Sequence, residues 1–504
     1  MAANGLGTVS NNDWQLEADT TAANSSAPRR RRILTIVLIV LAAYVLFGPA
    51  RNYYVQWSAI RKAQAAALAK DYDEEFRQFL LLANMGNVDS QGYLGAMYWR
   101  GEGTAQNDEQ AVFWWRKSAD GGNAEAQAAL SQAYSLGRGI AKDDRLAVSW
   151  AKKAADKGSA NGEYQLGALY SQGQGLIKSD EQAVYWWRKA VDAGSVDAAY
   201  SLGQVYFGGQ GVKKDDKMGV MWIRRAADKG HPEAAYVLSK AYKFGLGVDK
   251  DGQLAATWAR KAADQGNANG QYMLGVLYHE GEGLAQDERL AFQWWMKAAV
   301  TGVHQAQYSV GSAYALGKGV GKDDAQAAAW YRKAAEQGDA QAQSALAAAY
   351  STGRGVARSD ADAASWWLKA ANQGDASAQS NLGVAYSKGI GLVQSDANAA
   401  LWWLKAAKQG HVSGQLGAGY AYANAKGVAR DLKAAEFWWL EAARAGNVEA
   451  EFGLGTLYYL GVDGKPDYPE AAKWFLKAAE HGNAQAKTYI DLMKQNGQFD
   501  SKTL

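Results

Sequence analysis

Asn123-Ala-Glu-Ala-Gln-Ala-Ala-Leu130-Ser-Gln-Ala-Tyr134-Ser-Leu-Gly137-Arg-Gly139-Ile-Ala-Lys-Asp143-Asp-Arg-Leu-Ala147-Val-Ser-Trp150-Ala-Lys-Lys153-Ala-Ala155-Asp-Lys-Gly158 is one period of a chain that repeats itself every 36 residues. Its tyrosine returns from Tyr98 through Tyr134 and Tyr170 to Tyr458, and its tryptophan from Trp114 through Trp150 and Trp186 to Trp474. The closing glycine runs from Gly122 to Gly482, so eleven copies keep the spacing without a slipped residue. A fixed period of this length marks stacked repeats, in which each unit buries its apolar face against its neighbours. Tyr98, Trp114, Tyr134, Trp150, Tyr170 and Trp186 are therefore read as the repeating core.

Within the period two helices are expected. Asn123 caps the first, helix A, by accepting from free N–H groups of its first turn. Ala126, Leu130 and Tyr134 fall four apart on one face, and Ala, Gly or Ser fills position 126 in every copy, as close backbone approach requires. Gly137-Arg-Gly139 follows a helix rather than a strand, so it reads as a left-handed cap and turn, not a phosphate loop. Asp143 then caps helix B, a slot that is Asn, Asp or Ser in all eleven copies.

The strings Leu166-Gly-Ala-Leu-Tyr170-Ser-Gln-Gly173-Gln-Gly175 and Ala183-Val-Tyr-Trp186-Trp-Arg-Lys189-Ala190 resemble the Sel-1-like repeat family, relatives of tetratricopeptide repeats. The likeness covers residues 87–482. Departures are local: Ser131, Ser239 and Ala347 replace the glycine after the leucine, Gly219 replaces a helix-B alanine, and Gly461-Val-Asp-Gly464 shifts the last turn. The resemblance implies an all-α, right-handed α/α superhelical solenoid of about eleven 36-residue helix-turn-helix repeats, and a protein-interaction scaffold of the bacterial envelope.

The remaining chain divides into a polar, disordered tail (1–28), a basic flank and transmembrane helix (29–50), a linker helix with a partial repeat (51–86), and a C-terminal capping helix and tail (483–504). Ile33 to Phe47 is free of charge and long enough, at the short limit, to enter a lipid bilayer. Arg29 to Arg32 precede it, and Tyr53, Tyr54 and Trp57 follow where an aromatic belt would lie. The expected placement is the inner (plasma) membrane, single-pass, with the N-terminus cytoplasmic and the repeats periplasmic.

Lys and Arg number 54 against 51 Asp and Glu, too even a balance to hold nucleic acid. Cysteine is absent, which excludes disulfides, thiolate metal sites and a cysteine nucleophile. The five histidines fall in different repeats and form no metal motif. Ser149-Trp-Ala-Lys152 matches Ser-x-x-Lys, but neither Ser-Asp-Asn nor Lys-Thr-Gly accompanies it. No catalytic residue, cofactor or metal is expected; a β-lactam or cell-wall hydrolase is the least favoured alternative.

Paired tryptophans such as Trp186-Trp187 point about 100° apart on a helix. The invariant first is read as core and the variable second as packing at the repeat junction. The lysine that recurs late in helix B (Lys117, Lys153, Lys189 and onward to Lys477) reads as a solvated cation against the helix dipole. Recognition is assigned to the side of helix A turned away from Leu and Tyr, which lines the concave groove in tetratricopeptide-like stacks. Its candidates are Tyr164, Tyr200, Gln204, Phe207, Tyr236, Lys240, Lys243, Tyr272, His279 and Tyr308, with an envelope protein as the expected partner. A carbohydrate-binding module for peptidoglycan or exopolysaccharide is the alternative.

Overall fold

A computed structural model describes residues 49–498, and among them every regular element is a helix. Ile33 to Phe47 lies outside the described residues, and no described helix is long and apolar enough to cross a membrane. The helices form a repeat solenoid of two compact units, meeting in sequence at Ala193 and Gly194. The first unit opens with helix Pro49–Ala69 and helix Tyr72–Asn84, then three hairpins: Val88–Arg100 with Asp108–Asp120, Ala124–Leu136 with Asp144–Asp156, and Ala160–Gln172 with Asp180–Asp192. The second runs from Val196–Gly208 with Asp216–Asp228 through eight hairpins to a last single helix, Ala484–Gln495. Inside each unit a helix A packs on its own helix B, and helix B on the next helix A.

The capping logic of the sequence is realised. The Asn123 side chain accepts from the Ala126 N–H at 2.8 Å, Asp143 from Leu146 at 2.9 Å, and even His231 caps, its Nδ1 accepting from Ala234 at 3.2 Å. Val303 is the exception, with no side-chain cap; His304 beside it bonds Asp339 instead. Gly137 ends its helix in the left-handed region (φ 67°). Gly139 carries a second demand, because a Cβ there would lie 2.2 Å from the Asp108 carbonyl oxygen of the preceding repeat. The turn glycine is thus also a contact between repeats.

The leucines of helix A (Leu94, Leu130, Leu166, Leu202, Leu238, Leu274, Leu346) are fully buried. Small residues sit where helix A meets the preceding helix B: a Cβ on Gly162 would stand 2.4 Å from that of Ala154.

The core role expected of the first aromatic holds in part, since Trp114, Trp258, Trp330 and Trp402 are buried, but the junction role expected of the second does not. The second of each pair is buried in every copy, inside its own hairpin, and Trp115, Trp187, Trp295, Trp403 and Trp439 each lie over a helix-A glycine. A Cβ on Gly167 would meet the Trp187 ring at 2.6 Å, and the Trp187 indole N–H donates to the Tyr164 carbonyl at 3.3 Å. Where the ring is replaced by Ala259, Ser239 fills the space and donates to the Ala255 carbonyl at 2.8 Å. The first of each pair spans the junction: Trp150 packs on the core of the hairpin before it, and Trp186 on that before its own. Trp114 is buried, whereas Trp150 and Trp186 keep part of a face open.

That open face explains the recurring lysine. Nine lysines from Lys117 to Lys477 hold their ammonium 3.7–5.1 Å from the centroid of the tryptophan three residues earlier. They are lids on aromatic rings as well as cations near a helix end, a cation–π role the dipole argument did not supply.

Candidate partner-binding face

Counted from the first residue of helix A, positions 5, 9 and 12 share the side opposite the buried leucine and tyrosine. In the second unit position 5 is Tyr200, Tyr236, Tyr272 and Tyr308 in four successive repeats, each half-buried. Tyr200 stacks on the His231 ring (4.6 Å, 20°) and its hydroxyl accepts from Gln204 Nε2 at 2.6 Å. Gln204 itself is exposed. Burial pushes the Tyr236 hydroxyl pKa up, with Tyr272 and Tyr200 adding to it. Tyr272 and Tyr308 are likewise raised by burial; the Ser309 hydroxyl opposes this at Tyr272, and Asp339 adds to it at Tyr308. These phenols stay neutral at physiological pH and offer hydrogen bonds from a half-dry row.

The other candidates divide between free and engaged. Lys240 is partly exposed, its ammonium 5.7 Å from the Tyr236 ring centroid. Lys243, only 8% exposed, is held between Glu280 and Glu282 of the next repeat. Although burial works against its charge, these two carboxylates raise its pKa. His279 bonds Glu288 at 2.8 Å and tilts against Trp295 (5.4 Å). Phe207 accounts for a sequence departure: a Cβ on Gly219 would lie 2.7 Å from its ring, so that glycine replaces the usual alanine to admit a phenyl. In the first unit Tyr164 is half-buried at the corresponding position.

Hollows open on this side where positions 5 and 9 are small. In the first unit one of about 580 Å³ is lined by Asp89, Gly92, Tyr93, Ala96, Arg100, Trp115, Glu125, Ala129 and Asn161. In the second unit one of about 270 Å³ is lined by Ala315, Tyr331, Ala345, Ala348, Thr352 and Arg354. Trp115 and Tyr331 were not foreseen here. Each is the second aromatic of its helix B, and it lines its hollow where a glycine, Gly95 or Gly311, leaves room for its ring. The pairing of that glycine with a large ring was the signal available in the sequence.

Chemistry elsewhere is sparse. Ser149 and Lys152 are both exposed on helix Asp144–Asp156. Among the described residues no group of three His, Cys, Asp or Glu side chains is placed to hold a metal ion.

The family model described as "Sel1 repeat" matches eleven consecutive segments between residues 88 and 483. No curated protein sequence matches the chain. Among solved structures, the chain is similar to c5321, described as a protective antigen present in uropathogenic Escherichia coli strains displaying an SLR fold. The two share 34% identity over 85% of this chain and 91% of that one, with a TM-score of 0.69. A Sel1 repeat protein from Oxalobacter formigenes is 32% identical over 61% of this chain and 88% of its own, with a TM-score of 0.45.

Proposed function

Since the chain belongs to the Sel1 repeat family, we propose that it is a membrane-tethered scaffold that docks a protein of the bacterial envelope along the helix-A face. The observation carrying this reading is a division of labour within each repeat. Leucine, glycine, tyrosine and the helix-B aromatics recur because the stack demands them, while positions 9 and 12 change from repeat to repeat and position 5 holds tyrosine only from Tyr164 to Tyr308. They read Tyr200, Gln204, Phe207 in one repeat and Tyr236, Lys240, Lys243 in the next. Half-buried tyrosines are the side chains that carry recognition at low entropy cost. The charge-free segment Ile33 to Phe47 supports the tether, and Arg29 to Arg32 before it support repeats on the far side.

Sugar binding is not favoured, because nine of the recurring helix-B tryptophans, Trp294 and Trp366 among them, are covered by lysine rather than open for stacking. The test is photo-crosslinking of the full chain in native membranes. A crosslinker at Gln204 or Lys240 is expected to capture one protein reproducibly, and the same group at exposed Met221 on helix B is expected to miss it. Tyr236→Ala, Lys240→Ala and Phe207→Ala should each reduce the yield. Equal capture from both faces, or none from the helix-A face, defeats the proposal.

A further inference from the structure

Helix Pro49–Ala69 carries two opposite faces that no repeat accounts for. Ala59, Ala63 and Ala66 are buried, and the helix packs on Tyr72–Asn84. At 100° per residue, Trp57, Tyr53, Tyr54, Ile60 and Leu68 fall on the other side. All five are exposed, Tyr53 to 76% and Leu68 to 89%. Arg51, Arg61 and Lys62 are the helix's only charges, with no acidic residue until Asp71. The Arg61 guanidinium lies 4.8 Å from the centroid of the Trp57 ring.

Aromatic side chains beside cations, without a compensating acid, suit the headgroup layer of an anionic bilayer. A partner protein would have to cover this row, yet the chain itself supplies a bilayer at its edge: the charge-free Ile33 to Phe47 ends two residues before the helix begins at Pro49. We propose that helix 49–69 lies flat on the membrane, with Tyr53, Trp57, Ile60 and Leu68 in the interface, and carries the first repeats on its alanine face. An upright helix could not place the whole row in the interface. From Tyr53 to Leu68 the rise is about 22 Å, several times the thickness of one headgroup layer. The first unit is then held at a fixed height and tilt above the lipid. The inference rests on the membrane reading above, and its test keeps the two apart.

The chain contains no cysteine, so single cysteines accept one fluorophore each without removing native thiols. Val40→Cys, Trp57→Cys, Leu68→Cys and Ile177→Cys are labelled with bimane in the full-length protein and reconstituted in phosphatidylcholine–phosphatidylglycerol vesicles. Spin-labelled lipids then report depth. Loss of emission is expected deep in the bilayer for position 40, at headgroup depth for both 57 and 68, and not at all for 177. Quenching at 57 without 68 means an upright helix and overturns the proposal. Quenching at 40 alone also overturns it while leaving the tether intact, and quenching at 57 and 68 without 40 upholds it while removing the tether. Shielding of 57 and 68 from aqueous iodide without lipid quenching points to a protein cover and overturns it.

Discussion

The fit between Gly167 and Trp187 makes a sharp test of how each hairpin is held. Trp187→Ala removes a ring only 6% exposed, at a cost of about 3–5 kcal/mol for an aromatic deleted from a core. Gly167→Ser alone drives a Cβ to 2.6 Å from that ring. Overpacking costs about 1–3 kcal/mol, against roughly 0.5 kcal/mol gained in helix propensity, so the net change is destabilising. In the Trp187→Ala background the same serine finds the space that Ser239 occupies opposite Ala259, with the Ala183 carbonyl 3.1 Å from its Cβ as acceptor. There it should stabilise by about 1–2 kcal/mol, from the hydrogen bond and partial filling of the void. The coupling is then about 2–4 kcal/mol and the serine changes sign between backgrounds. Urea unfolding followed by helical circular dichroism reads the parent protein and the three variants. An effect of the same sign in both backgrounds would refute the packing account.

Glu163 and Glu451 occupy a position that is glutamine in most repeats, and they should respond oppositely to restoring it. Glu163 is buried, and burial raises its pKa against the opposing pull of Lys189; the group begins to weigh against folding as pH rises above its unfolded value and does so fully above the raised folded one. Glu163→Gln is therefore expected to stabilise at pH 7 by on the order of 1 kcal/mol, an advantage that fades below pH ~4 in melts run across that range. Glu451 is 0% exposed and lies 2.8 Å from His481 and 3.2 Å from Lys477, so Glu451→Ala should cost about 2–3 kcal/mol and Glu451→Gln less, measured as shifts in urea midpoint. Burial, with Tyr308 beside it, pushes the Tyr331 phenol up to about 12, so stability held below pH ~10 should decline as pH climbs toward 12. The absorbance difference between the protein and Tyr331→Phe at 295 nm should show that phenol still un-ionised at pH 11; a midpoint near 10 contradicts this.

The architecture was legible because its demands are local. A cap needs a side-chain acceptor at one position, a left-handed turn needs glycine, and both recur wherever the backbone makes the same request. Burial across the junction was less legible. Two adjacent tryptophans are equally apolar, and only the glycine facing the second tells which lies inside the hairpin. The lysine three residues after Trp186 was legible in principle, since residues three apart on a helix meet. Lys243 was not: its partners Glu280 and Glu282 belong to the next repeat, and a sequence read one period at a time does not bring them together.

Recognition and stacking are separable in this chain only up to a point. Positions 5, 9 and 12 of helix A are free of the leucine spine, yet Phe207 exists only because Gly219 withdrew its side chain, and Trp115 lines its hollow only because Gly95 did. A new contact surface is therefore made by pairs, one residue advancing where another has receded. Where the receding residue is a glycine within a helix, the cost is roughly 0.5–1 kcal/mol of conformational entropy. In a stack whose units share their interfaces that cost is distributed over neighbours, so one repeat can carry a less stable, more specific face than it would tolerate alone. Consensus repeats around an aberrant one are, on this account, what makes its aberration possible.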